Sequence, residues 1–151
     1  VKRELLELRS QLEKLYRWYV PPFRINRIKI NPNIFFLPDK PTWYRLDGEY
    51  YSCTLADFRK IIEWDWTDTK KYVSETFDCD KFSMYFKSRV ALDFGVNAVA
   101  VILDYSSGHS YNVLFPVDDV PKIFEPQTDE IIEIKNRDKR FYAMVNYVVL
   151  L

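Results

Sequence analysis

Between Lys2 and Tyr19 the apolar residues Leu5, Leu8, Leu12, Leu15 and Tyr19 recur at steps of three and four, with acidic and basic residues between them. That spacing follows the helical period and predicts an amphipathic helix, ended by Pro21-Pro22. From Phe23 to Pro41, Ile25, Ile28 and Ile30 lie among Pro32, Pro38 and Pro41, the pattern of an extended arm with one short strand. Asp47-Gly48, between Trp43–Leu46 and Glu49–Ser52, predicts a tight hairpin. Thr54 stands three residues before Asp57 and predicts a capped helix through Ile61-Ile62, followed by a second short helical segment over Asp68–Thr76. Phe82, Tyr85, Phe86, Val90 and Leu92 suit the buried face of a helix beginning at about Asp80.

Beyond Gly95 the period shortens to that of strands: Ala98–Tyr105, Ser110–Val117, Lys122–Glu125, Ile131–Ile134 and Phe141–Leu150. Ser106-Ser107-Gly108 and Asp118-Asp119 supply turns between them. Helices first and strands second predict an α+β fold, with the Cys79 helix packed on a mostly antiparallel sheet. The 151 residues, 48% of them hydrophobic, are enough for one domain with a substantial core. Residues 1–41 then form the helix and Pro-rich arm, and residues 42–151 the core.

The 22 basic and 22 acidic residues balance, which weakens nucleic acid or an anionic membrane as the main partner. Arg24, Arg27 and Lys29 beside Phe23 and Phe35-Phe36 are the best local evidence for nucleic acid, since basic and aromatic residues interleaved can grip a single strand. Cys53 and Cys79 do not make a disulfide framework, and no signal peptide opens the chain, so a cytoplasmic setting is expected. The longest apolar runs fall short of the roughly 20 residues that a membrane span needs.

The chemistry is concentrated in three segments. Cys79 opens a helix, where unpaired backbone N–H groups and the helix dipole favour a thiolate, while Asp78 and Asp80 oppose it. His109 is the only histidine and follows a glycine turn at the start of a strand. Glu125 ends the next strand, which a hairpin returns toward His109, and Gln127 follows with an amide able to donate to an oxyanion or hold a polar network. A thiol needs a base to take its proton and a third group to orient that base, and these residues supply all three. Taken singly, Cys79 is more often a buried packing residue, and Glu125 and Gln127 solvated turn residues. Cys53 has no such partner and is expected to be structural.

Phe77-Asp78-Cys79-Asp80-Lys81-Phe82, Gly108-His109-Ser110-Tyr111-Asn112-Val113 and Phe124-Glu125-Pro126-Gln127-Thr128 resemble papain-like cysteine peptidases. More narrowly, they resemble the peptidase domain at the C-terminus of a mushroom agglutinin and its phage-encoded relatives. The resemblance covers Trp66 to Asp129 and implies a papain-like core over residues 42–151, with Cys79 as nucleophile, His109 as base and Glu125 as its orienter. It also implies dependence on calcium, for which Asp65, Asp68, Glu75, Asp78 and Asp80 provide oxygen ligands. No organic cofactor is called for. Where papain-like enzymes place an upstream glutamine, this chain has Tyr72 and Val73.

Two readings of function follow. The first is a thiol hydrolase that cleaves a peptide, isopeptide or related amide bond, with a protein or peptide as substrate. The second is a non-catalytic binding or virion-associated structural protein on the same fold, engaging a protein partner through the N-terminal helix and Pro-rich arm.

Overall fold

The computed structural model describes residues 2–18, 21 and 23–151, and the chain is α+β. Helix α1 spans Lys2–Trp18; Tyr19 and Pro22, both invoked for its end, lie outside the described residues. The arm supplies β1, Ile28–Ile30, and a 3₁₀ turn at Pro32–Ile34. Strands β2, Thr42–Tyr44, and β3, Tyr50–Ser52, precede helix α2, Leu55–Trp64, and helix α3, Cys79–Phe94. Then follow β4, Val99–Asp104; β5, His109–Leu114; β6, Lys122–Glu125; β7, Glu130–Glu133; and β8, Tyr147–Leu150.

Among the described residues the main sheet has the order β2-β8-β4-β5-β6-β7, antiparallel throughout except for the parallel edge pair β2 and β8. β1 and β3 form a separate antiparallel pair. The hairpin expected at Asp47-Gly48 is therefore absent, its two arms belonging to different sheets. The C-terminus competes for the first arm: Leu46 N–H donates to Leu151 O at 2.7 Å, and Leu151 N–H to Tyr44 O at 2.9 Å. Gly48 also lacks the positive φ that a tight two-residue turn of this type demands.

Thr54 caps α2 as the sequence predicts, its Oγ1 accepting from Asp57 N–H at 3.1 Å. The second helical segment is reduced to a 3₁₀ turn at Thr67–Thr69, after which Val73 and Phe77 form an isolated bridge. α3 buries Phe82, Phe86 and Val90, spaced at steps of four along one face, whereas Leu92, expected on that face, is 75% exposed. The Phe86 ring lies 4.3 Å from that of Phe124 and locks α3 to β6.

The sheet is covered on both faces, which is why β4 reads as a nearly unbroken apolar run. On the α3 side lie Phe58, Ile61, Phe86, Val90, Leu114 and Phe124; on the other, Ile102, Tyr111, Val113, Ile123, Tyr142 and Val149. The arm lies over the core, as its composition allows: Phe35 stacks on Phe115 at 4.1 Å and Phe23 on Phe94 at 5.6 Å. Arg27 sits over the Tyr51 ring at 4.8 Å, and Lys29 pairs with Glu49 at 2.5 Å. The basic and aromatic residues considered for nucleic acid are thus largely engaged within the protein.

Candidate functional site

Gly108 takes a left-handed φ of 65° in the turn between β4 and β5, a conformation that side chains disfavour, and so delivers His109 as the first residue of β5. Its partner across the ladder is Asp104. From the end of β6, Glu125 Oε2 meets His109 Nε2 at 2.7 Å, and the glutamate is 5% exposed. Tyr142 Oη donates to the same oxygen at 3.2 Å. The Gln127 backbone N–H and Nε2 reach Glu125 Oε1 at 3.3 and 3.4 Å. Four donor groups converge on one buried carboxylate, the arrangement that fixes an imidazole's orientation and the identity of its free nitrogen. Gln127 thus serves the polar network.

Cys79 reaches this region from the other layer. Ser83 Oγ and Ser110 Oγ are 2.8 Å apart, and Asn112 Nδ2 donates to Ser83 O at 2.9 Å, which sets α3 against β5. Lys87 Nζ donates to Asn97 O and Val99 O at the opposite end of the strands, so α3 runs alongside β5 in the same direction. Cys79, one turn before Ser83, projects about 6 Å further toward the end of β5 where His109 stands. Alternation along β5 turns Ser110 and Asn112 toward α3, and His109 and Tyr111 toward the other face. Cys79 and His109 therefore share an end of the layers and not a face, and among the described residues no hydrogen bond joins them. His109 Nδ1, the nitrogen not used by Glu125, likewise accepts from no described residue.

Lys81 partly offsets the acidic flanks of Cys79. Lys81 Nζ lies 2.9 Å from Asp80 Oδ2 and 3.4 Å from Asp78 Oδ1. Burial raises the Asp80 carboxyl, but hydrogen bonding with Asp78 and Lys81 outweighs it and holds that carboxyl below its ordinary range. Cys79 is partly exposed, whereas Cys53 is fully buried and its thiol is pushed up to about 12 by that burial, as a structural cysteine should be.

Among the described residues no group of three or more His, Cys, Asp or Glu is placed to hold a metal ion, so Asp65, Asp68, Glu75, Asp78 and Asp80 do not assemble into a calcium site. Asp78 and Asp80 turn to Lys81, and Asp65 accepts from Thr67 N–H at 2.8 Å. Asp65 and Asp68 instead face Asp129, a residue the sequence does not single out. Burial, then the charges of Asp68 and Asp65, push the Asp129 carboxyl up to about 6. The folded state thus holds this proton more tightly than the unfolded chain, whose value is near about 3.9, so stability declines as pH rises from about 4 to about 6. Asp129→Asn, tolerated at a φ of 59°, is expected to stabilise by about 1 kcal/mol at pH 7 after allowance for solvent screening. That gain should vanish near pH 4 in urea unfolding; an equal gain at both pH values contradicts the assignment.

Two further groups escape the sequence reading. Tyr142, in a segment expected to be strand, lies in an irregular loop that closes over Glu125 and packs its ring 5.8 Å from His109. Asp104, 2% exposed, accepts from Tyr111 Oη at 2.9 Å, Met144 N–H at 2.9 Å and Ser106 Oγ at 2.5 Å. It anchors that loop to the strand end beside His109. The alternation of β4 marks Asp104 as a buried polar residue only once the register is known.

The fold has relatives among solved structures. A crystal structure of Polyporus squamosus lectin bound to the human-type influenza-binding epitope Neu5Aca2-6Galb1-4GlcNAc matches with a TM-score of 0.54 and 21% identity, covering 72% of this chain and 42% of that one. A PSL1a-E64 complex matches with a TM-score of 0.55 and 25% identity, covering 78% of this chain and 44% of that one. What is shared is the fold. The chain spans less than half the length of either structure. No family model and no curated protein matches the sequence. The resemblance to papain-like cysteine peptidases is corrected accordingly: the first of these structures is a lectin, neither is described as a peptidase domain, and only the mushroom-lectin link is shared.

Proposed function

We propose, on the site's geometry and not on family, that the chain is a thiol-dependent amide hydrolase. The observation that carries this reading is the buried His109–Glu125 pair, 2.7 Å between Nε2 and Oε2, at the end of the layers where Cys79 opens α3. Glu125 fixes the ring and leaves Nδ1 open; because Cys79 and His109 face opposite sides of β5, the thiol proton reaches Nδ1 around the end of the layers that both residues share. The Cys79 sulfur attacks the amide carbonyl carbon, His109 passes the proton to the leaving amine as the C–N bond breaks, and a thioester remains. Water, deprotonated by His109, then hydrolyses the thioester and restores the thiol. Amide N–H groups at the start of α3, where the Asp78 side chain makes no cap, supply donors for the oxyanion. The five acidic residues considered for calcium do not fit that ion as placed, and no step runs through it.

The second reading, a non-catalytic binding module, is the one the comparisons favour, since the first of the similar structures is a lectin with its glycan bound. This chain also carries an apolar cleft of about 980 Å³ between the arm and the β6–β7 end, lined by Ile28, Ile34, Phe35, Val117, Val120 and Ile134. One pair of assays separates the readings. Hydrolysis of a mixed peptide library that is lost on Cys79→Ala supports the enzyme. Binding on a glycan array, with no cleavage by the unaltered chain, supports the binding module and rejects the enzyme.

A further inference from the structure

The apolar cleft of about 980 Å³ lies at the upper end of the size range of small-molecule sites, roughly 300–1,000 Å³. Its arm wall, made by Ile28, Ile30 and residues 34–38, offers apolar side chains only. Phe36, Ile34 and Val120, which line it, are 85%, 61% and 61% exposed, leaving apolar surface open to solvent at its mouth. The charges stand on the facing wall. Asp119 and Glu133 both accept from Lys122 Nζ, at 2.9 and 2.6 Å, whereas Lys135 and Arg137 pair with no carboxylate among the described residues. Three cations thus stand against two carboxylates, a balance that favours an anionic ligand.

Arg137 is held ready for that anion. Its Nε donates to Tyr142 O at 2.8 Å, Nη1 to Ile134 O at 2.8 Å and Nη2 to Ala143 O at 3.1 Å. A guanidinium carries five N–H donors, so three carbonyls fix its plane without neutralising it, and one N–H remains on each of Nη1 and Nη2. Two such donors match the two oxygens of a carboxylate. We infer that the cleft binds a free long-chain carboxylate, an unesterified fatty acid, with its head on Arg137 and its chain against the arm wall. An extended peptide fits less well, because it would bring backbone N–H and C=O groups against side chains that cannot pair them, whereas an acyl chain carries none. Phe115, Pro121 and Glu133 put the cleft at the other end of β5, β6 and β7 from His109 and Glu125, so its occupancy is independent of any chemistry at Cys79.

Fluorescence titration of the full chain with cis-parinarate, a fluorescent long-chain carboxylate held below its aggregation limit, tests this when followed by displacement with palmitate and with methyl palmitate. One saturable site per chain is expected, with palmitate displacing the probe at least about tenfold more strongly than the ester, which keeps the chain and loses the charge. Arg137 also fastens the loop that carries Tyr142, so its charge is tested in this way on the unaltered chain. Val120→Asp with Ile34→Asp, both at exposed positions, should weaken probe binding at least about tenfold while the near-ultraviolet spectrum of the aromatic core stays unchanged. Lys135→Ala should leave palmitate affinity within about threefold; a loss equal to that of the ester moves the head to Lys135 and overturns the assignment to Arg137. Absence of saturable binding overturns the proposal, as do equal displacement by acid and ester, several probes per chain indifferent to the Val120 and Ile34 changes, or capture by phospholipid vesicles alone.

Discussion

Phe86→Ala is expected to lower unfolding stability by about 3–5 kcal/mol, the range for truncating a well-packed aromatic residue. Phe86 has no exposure, and its ring meets Phe124 at 4.3 Å between α3 and the sheet. Phe58, Val90 and Leu114 belong to the same cluster and are themselves fixed by secondary structure, so the cavity left behind cannot readily collapse. The loss comes from transfer of the ring to water in the unfolded reference and from contacts the cavity walls no longer make. It should appear as a lower urea midpoint with an unchanged slope. A cost below about 1 kcal/mol means that α3 is not seated on β6 as described, and the placement of Cys79 falls with it.

The second large effect is expected at Glu125. Glu125→Ala removes the acceptor for His109 Nε2, Tyr142 Oη and the Gln127 side chain and backbone. Donors left unmatched in a buried setting cost about 1–3 kcal/mol, and unfolding should record it. If the hydrolase reading holds, amide cleavage should fall further than stability, by about 10²–10⁴-fold, because an imidazole without its orienter presents the wrong nitrogen. Glu125→Gln keeps the shape and should lie between the two. Stability reduced with cleavage intact makes Glu125 a packing acceptor only.

The sequence makes the second half of the fold legible because its strands carry strong local signals. Lys122–Glu125 has the bounds read from the pattern, and Ser106-Ser107-Gly108 and Asp118-Asp119 mark their turns. The first half is less legible where distant partners decide. Asp47-Gly48 has the composition of a hairpin, but Leu151 captures the backbone of Tyr44 and Leu46, an interaction more than a hundred residues away that no local pattern encodes. Asp68–Thr76 contains too little apolar periodicity to extend beyond one 3₁₀ turn.

At the site, the same distinction applies. His109 and Glu125 are brought together by a strand register that two adjacent hairpins fix, so chain order foretells their contact. Tyr142 and Asp129 arrive through irregular loops, and nothing in their immediate neighbours marks them. The separation of Cys79 and His109 onto different faces follows from Ser110 turning inward to Ser83, a one-residue choice of register that alternation alone leaves open.

Hydrolysis as proposed requires Cys79 to work with the His109–Glu125 pair. The rate of iodoacetamide alkylation at Cys79, followed by mass spectrometry from pH 5 to pH 9 in the unaltered chain and in His109→Ala, tests it most directly. Cys53, fully buried, should remain unlabelled throughout. His109→Ala is expected to slow alkylation of Cys79 at pH 7 at least about tenfold. Equal rates with and without the imidazole, or preferential labelling of Cys53, contradict it and leave Cys79 as a packing residue in a binding module.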